Sequence, residues 1–542
     1  MKNILKISAA AFSILLGSCI KDVTPTEIAT EDQVTLETLV GGIPAALVKP
    51  GSTGYNLAWD FALPAIHLAT ESMTGDIAIT GNIGYDWFQQ WGANDALGPE
   101  YAVGALPWNN YYTWIMMANN VISLIDETDI ATLGAKERSY LGFAYAYRAM
   151  FYLDLVRLYE FKENTVTRAD DLLGLGVPIV LPETTEAQAK NNPRATVDEI
   201  YDSVIFPDLE KAGKLLENFT APDKYTISLA LVYGLKARAY LERGTDKNDA
   251  AAYRSAAEYA RKAITASGRT PLTQEEWEDP ANGFNNAESN NAWIWGLALP
   301  SESVANLMCF TVHMSCENDW APYHAGRAIN RNLYNSIYLR DFRRHSWLDP
   351  DRGSYSYKSC RPDGKEYFAE KLADYVNIKF RPAQGAYKDF KVGGAADHCC
   401  MRVEEMYFIE AEATAQAGDV QGGHPAAERV YDQIPHDGRR GLRLLGPIDA
   451  QEFRQRADAS EAYRILGRGH RHVRHEASGH VQQTRIRRHE RSGILPAQRR
   501  RPRSVLEFCD QPRRDPEQYR HCQAEQSRPL GPGRTVEGLA GC

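Results

Sequence analysis

Two short stretches carry side chains suited to gripping a polar ligand that has flat faces. Gly84–Asp95, GYDWFQQWGAND, interleaves Tyr85, Trp87, Phe88 and Trp91 with Asp86, Gln89, Gln90 and Asn94. Glu317–Arg327, ENDWAPYHAGR, repeats the recipe with Asn318, Asp319, Trp320, Tyr323 and Arg327. Sugar rings present apolar C–H faces and hydroxyl edges. Indole and phenol rings stack on the faces, while amides, carboxylates and guanidinium groups hydrogen-bond the edges. Trp87, Trp91, Asn94, Asp319, Trp320 and Tyr323 are therefore the candidate ligand contacts. The competing outcome is that these rings fill the core, the commoner fate of tryptophan. Trp293 and Trp295 in NNAWIWGLALP read as strand core, and Trp59, Trp108 and Trp114 as packing.

Catalytic chemistry finds little to work with. A glycosidase needs two carboxylates about 5–10 Å apart, one with a raised pKa. Glu404, Glu405, Glu410 and Glu412 are plentiful, but they sit on one helical segment where structural salt links are the simpler reading. The chain has no Ser-His-Asp signature, phosphate loop or HExxH, so it reads as a binder and not an enzyme. No CxxC pair occurs among the nine cysteines, which argues against zinc, and calcium is not indicated. Cys309 and Cys316 could bridge in an oxidising compartment or remain buried thiols.

The elements that must position the aromatic stretches are helical. From Asn109, NNYYTWIMMANNVISLIDE places Trp114, Ala118, Val121, Ile122 and Ile125 on one stripe. KERSYLGFAYAYRAMFYLDLVRLYEF follows with Leu141, Ala144, Tyr145, Arg148, Ala149, Tyr152, Leu155 and Val156 on a broad face, and small residues permit close helix approach. TVDEIYDSVIFPDLEKAGKLL and TISLALVYGLKARAYLERG form a second hairpin, with Thr196 and Thr226 as expected N-caps. AAYRSAAEYARKAITAS adds a helix of the same grammar, and RVEEMYFIEAEATAQAG (Arg402–Gly418) opens one more hairpin. The small-and-aromatic spacing resembles tetratricopeptide repeats, which stack hairpins into a superhelix. Residues 51–107 and 268–400 show no sustained period and read as long loops with short elements. The fold class is thus mainly α, a tetratricopeptide-like scaffold carrying long irregular loops.

The first residues, MKNILKISAAAFSILLGSC, join a basic start to an apolar run and small residues before Cys19. That is a secretory signal, too short to span a bilayer. Leu16-Gly17-Ser18-Cys19 resembles a bacterial lipoprotein box, which implies cleavage before Cys19 and acyl chains, palmitate among them, on that residue. Each buried methylene adds about 0.8 kcal/mol of membrane affinity. The polar segment IKDVTPTEIATED reads as a tether, and its Lys21-Asp22 resembles the surface-export signal of Bacteroidetes lipoproteins, which implies the outer face of the outer membrane. The expected organisation is a signal peptide at 1–18, a lipidated tether at 19–40, a nutrient-binding domain at 41–423 and an aberrant tail at 424–542.

The ordered set WNNYYTWIMMANNVI, RAMFYLDLVRLYE, GVPIVL, RATVDEIYDSVIFPDLEKA, ALVYGLKARAYL and RVEEMYFIEAEA resembles the SusD/RagB family of Bacteroidetes surface lipoproteins over roughly residues 19–420. The resemblance implies four tetratricopeptide-like units and a SusC-type TonB-dependent transporter barrel over which the lipoprotein sits as a lid. It implies a glycan ligand, or a peptide in RagB-like members. A protein-interaction scaffold without its own ligand is the remaining alternative.

Beyond residue 420 the chain changes character. The whole carries a net charge of −9, yet residues 421–542 hold 23 Lys+Arg against 15 Asp+Glu, with no lysine after Lys391 and no tryptophan after Trp347. Arg464–His480, RILGRGHRHVRHEASGH, packs four histidines and four arginines into 17 residues. As a zinc site it lacks acidic or thiolate partners. As a nucleic-acid arm it lacks interleaved aromatics and suits an exported protein badly, so no nucleic-acid partner is expected. A one-base shift of reading frame accounts for it better. From Tyr463 to Gly479 the shifted frame permits IEFWGEGIVMFDMKRL, and from His424 it permits IQLLNEFMTKYRT. The first matches a motif that the family resemblance implies, and the second suits the helix missing after Gly418. One arginine of the family pattern cannot be encoded. Residues 424–542 are therefore expected to be a frameshifted, poorly packed tail.

Overall fold

The computed structural model describes residues 35–49, 51, 60–80, 88, 101–127, 130–162, 171–299, 310–317, 326–337, 339–360, 372–387, 389–419 and 422–423. The signal peptide, Cys19 and the tail at 424–542 lie outside them. Thr35 opens α1 (Leu36–Leu47) by accepting the Thr38 N–H, and Val40, Ile43 and Leu47 bury its inner face. This helix runs through position 40, so the folded domain begins inside the stretch expected to be tether. α2 (Ala62–Thr74) lies in a region expected to be irregular. Every residue from Ala62 to Ser72 is buried, which leaves no polar face to mark a period. Gly75, at φ +81°, turns the chain out of α2 into β1 (Ile77–Thr80).

α3 (Ala102–Leu124) starts ahead of Asn109, its beginning hidden by Pro107, which removes a helix N–H. Trp114, Ala118, Val121, Ile122 and Ile125 are buried together, as their spacing predicts. α4 (Ala135–Tyr159) is buried around most of its circumference and not only on the expected face, because Phe143, Tyr147 and Phe151 are covered as well. α5 (Glu186–Lys190) and α6 (Val197–Ile200) begin at capping boxes, Thr185 with Gln188 and Thr196 with Glu199. A π-helical turn, Tyr201–Ile205, carries α6 into α7 (Phe206–Leu215). α8 (Leu229–Lys247) is capped by Ser228 and not by Thr226. The Asp223 carboxylate accepts the Thr226 N–H at 2.8 Å and its hydroxyl at 2.8 Å, so Thr226 is consumed by the preceding turn.

Asn248, at φ +50°, reverses the chain into α9 (Ala250–Ser267). A Cβ at Gly244 would come within 2.7 Å of the Tyr253 ring, so only glycine lets α8 and α9 approach this closely. The remaining elements are α10 (Gln274–Glu278), β2 (Trp293–Leu297), α11 (Phe310–Met314), β3 (Gly326–Ile329), α12 (Arg331–Ser336), α13 (Tyr355–Ser359), α14 (Phe390–Gly394), β4 (His398–Arg402) and α15 (Val403–Gln416). β2 pairs antiparallel with β4 and buries Trp293 and Trp295, as expected of strand core.

The helices stack in sequence: α3 on α4, α4 on α7, α7 on α8, α8 on α9 and α9 on α15. The chain is mainly α-helical, a run of antiparallel hairpins with irregular excursions. Buried ion pairs join the layers. Arg148 of α4 grips Asp208 of α7 at 2.7 and 2.8 Å and donates to Asn119 of α3 at 2.8 Å. Arg157 of α4 meets Glu242 of α8 at 3.0 Å, and Arg238 of α8 grips Glu405 of α15 at 2.6 and 2.7 Å. Desolvation offsets much of the Coulomb gain in such pairs, but removing one partner strands a buried charge. Among the described residues no helix is long and apolar enough to cross a membrane.

Candidate functional site

Trp87, Trp91, Asn94, Asp319, Trp320 and Tyr323 all lie outside the described residues. The framework from which their two segments depart is described. β1 and β3 pair antiparallel, with Ile77 opposite Ile329 and Thr80 opposite Gly326. The chain enters the first aromatic segment just after Thr80 and leaves the second just before Gly326. One end of a single two-stranded sheet therefore holds the root of each. Asn330 secures the other end, donating its backbone N–H to the Asp76 carbonyl at 2.7 Å and its side-chain amide to the Gly75 carbonyl at 2.9 Å.

Phe88 ties the first segment to this framework. It is 1% exposed, its ring 5.3 Å from the His313 ring of α11 and 5.3 Å from the Arg327 guanidinium of β3. Arg327 is itself fully buried, and its carbonyl accepts the Asn377 N–H at 2.7 Å. Phe88 and Arg327 sit within the two ligand-gripping patterns in sequence, yet both are packing residues. A guanidinium deprived of water finds the π face of a ring, and that contact holds Phe88 against β3. Glu317, at the start of the second segment, is also buried and pairs with Arg381, which donates further to Ser359 Oγ at 2.9 Å. Burial raises the Glu317 carboxyl pKa, with Arg381 opposing. Beside it, Cys316 is a buried free thiol, pushed up to about 11 by burial and so unreactive at neutral pH. Its possible partner Cys309 lies outside the described residues.

A second aromatic and polar cluster escaped the sequence pattern. Tyr355, at the start of α13, is 47% exposed, whereas Trp114, Trp277, Trp293, Trp295 and Trp347 are at most 4% exposed. One face of its ring rests on His345, with centroids 4.5 Å apart and planes tilted by 31°. Glu278 gathers both: it accepts from His345 Nδ1 at 2.6 Å, from the Tyr355 hydroxyl, and from Gln274 Nε2 at 2.9 Å. Burial pushes the Glu278 carboxyl up, but the bonds from His345 and Tyr355 outweigh it and hold it below the usual range. Burial and the Glu278 carboxylate raise the Tyr355 phenol. The only local hint in sequence is the unusual SYSYK turn, which gives no sign that Glu278 and His345 converge on it.

The glutamates of α15 are held as structural partners. Glu405 pairs with Arg238, Glu410 with Arg261, and Glu404 with Arg402 at 3.5 Å. Among the described residues no group of three or more His, Cys, Asp or Glu side chains is arranged to hold a metal ion.

Residues 56–241 match the SusD-like family model described as "Starch-binding associating with outer membrane". The SusD-like protein P38 of Formosa agariphila is 29% identical over 192 residues, 34% of this chain. The match spans about a third of that relative's length, 31%. Among solved structures, a SusD-like carbohydrate binding protein from Bacteroides vulgatus superposes with TM-score 0.61 at 22% identity, covering 80% of this chain and 81% of that one. A SusD homolog from Bacteroides thetaiotaomicron gives 0.63 at 15% identity, covering 90% and 93%. Surface glycan-binding protein A from Bacteroides thetaiotaomicron, solved with laminarihexaose, gives 0.56 at 14% identity, covering 82% and 90%.

Proposed function

Starting from a chain that is SusD-like across residues 56–241 and has the SusD fold, we propose a cell-surface lipoprotein that binds a glycan and hands it to a SusC-like TonB-dependent transporter. The observation that carries this reading is the Thr80–Gly326 pairing, which roots both aromatic segments at one point of a stiff frame. Trp87, Trp91 and Asn94 from one side, and Asp319, Trp320 and Tyr323 from the other, then grip one oligosaccharide by its ring faces and hydroxyl edges. Binding is modest and spread over several contacts, because the cargo must leave for the transporter. The protein holds its ligand without transforming it.

Acyl chains on Cys19 anchor the protein to the outer membrane, facing the exterior, with the segment before α1 as tether. The likeness to a carbohydrate binding protein and to a glycan-binding protein solved with laminarihexaose favours a carbohydrate over the peptide of RagB-like members. A glycan and peptide array with Trp320→Ala as control separates these. Glycan signals lost in the variant support the reading, and peptide signals alone replace it with the RagB-like one. Silence on both favours a scaffold without its own ligand. Release of new reducing ends from a bound polysaccharide would instead make the protein a hydrolase.

A further inference from the structure

Tyr355 is a poor place to expose a ring unless the ring is used. Its hydroxyl is tied to Glu278 and its back face is closed by His345, so the phenol is fixed with one face open. At the foot of the ring lies a recess of about 10 Å³, lined in part by Trp277, Glu278, His345, Ser346 and Arg381. That is room for one water, or for one hydroxyl group. Ser346 is 3% exposed and accepts the Trp277 indole N–H at 2.7 Å, while its own proton has no acceptor among the described residues. His345 Nδ1 bonds Glu278 at 2.6 Å, so Nε2 is the ring nitrogen left for a ligand. The recess, lined also by Asp279 and Lys379, thus offers Ser346 Oγ–H and His345 Nε2 to a hydroxyl, which can donate as well as accept. Of the two cations in its lining, Arg381 is committed to Glu317 and Ser359 and Lys379 lies over the Trp277 and Phe284 rings at 5.3 and 4.6 Å, while the Glu278 and Asp279 carboxylates disfavour an anion.

We propose that Tyr355 with its recess is a saccharide-contacting subsite, distinct from the two aromatic segments. A neutral pyranose stacks its C–H face on the Tyr355 ring and sends one hydroxyl between Ser346 and His345. This assignment rests on the glycan-binding reading above.

The test uses calorimetric titration of the full chain with the neutral oligosaccharide giving the strongest array signal, and with a uronate-bearing oligosaccharide as the charged comparison. Tyr355→Ala should weaken the neutral ligand roughly three- to tenfold, the worth of one ring contact. Tyr355→Phe, which keeps the ring, should lose less, and Ser346→Ala should show a separate, smaller loss. Unchanged thermal melting of Tyr355→Ala would confirm that the loss is one of contact. If Tyr355→Ala titrates like the parent while Trp320→Ala does not, the subsite is refuted and glycan binding stands. Absence of any glycan binding by the parent chain overturns both, and binding of the charged sugar alone overturns the neutral assignment.

Discussion

Replacing Phe88 with alanine should separate the rigidity of the helical frame from the readiness of the binding segments. The ring is 1% exposed, and its contacts include the His313 ring and the Arg327 guanidinium at the sheet end. Burying such a ring contributes about 1.5–3 kcal/mol. Its contact with a desolvated guanidinium adds about 0.5–2 kcal/mol. Most of this loss falls on the docking of Phe88 against the β1–β3 end, and a smaller part on the helices, whose buried cluster the ring also joins. If the docked state must be re-formed for binding, the apparent Kd rises by the inverse of its population. Even the burial term alone corresponds to roughly ten- to a hundredfold. Tryptophan fluorescence titrated with an array-selected oligosaccharide reads the affinity, and far-UV circular dichroism on heating reads the frame. Phe88→Ala should lose affinity with a smaller loss in the helical melt, and Phe88→Leu should retain most of both. Parental affinity in Phe88→Ala would refute the idea that this ring holds the site together.

Three further outcomes follow from buried charge and from the tail. Arg238→Met leaves Glu405 buried without its two-pronged partner and should cost about 3–5 kcal/mol in denaturant unfolding, with most of it recovered in Arg238→Met/Glu405→Leu; an equally unstable double variant would show that the pair is not what docks α15. Burial is the main cause raising the Glu160 carboxyl to about 7, with Lys162 opposing and Asp246 and Glu242 adding to it. A carboxyl that binds its proton more tightly when folded stabilises fully below its unfolded value of 4.5 and loses that contribution as pH rises through 7. Glu160→Gln should therefore flatten the stability fall between about pH 5 and pH 8, a difference of up to about 3 kcal/mol, and an unchanged pH slope would contradict this. Finally, sequencing the nucleotides around Gly423 should reveal a one-base slip that restores IQLLNEFMTKYRT in the neighbouring frame; a clean single frame would dispose of the frameshift.

Helices with one buried stripe were legible in sequence. Trp114, Ala118 and Val121 of α3 repeat at helical spacing because the opposite face meets water, and Thr196 announces its helix through a local capping box. α2 was not legible, since burial on every side erases the contrast on which periodicity depends. Thr226 misled because a neighbouring carboxylate, Asp223, competes for the same hydroxyl and N–H. The aromatic segments were found by composition, but composition cannot separate a ring that packs from one that faces a ligand. Phe88 and Arg327 were thus grouped with candidates that they support from beneath. The pairing of Thr80 with Gly326 was beyond local reading, because two four-residue strands carry almost no register information of their own. Tyr355 was missed for a similar reason: Glu278, His345 and Tyr355 become a cluster only through tertiary packing.

The most direct measurement is a crystal structure of the protein with the oligosaccharide selected on the array. Sugar density lying across the end of the β1–β3 sheet, stacked on Trp87 and Trp320 and bonded by Asn94 or Asp319, is the predicted result. Sugar bound elsewhere, with those two indoles turned into the core, would contradict the account at its centre.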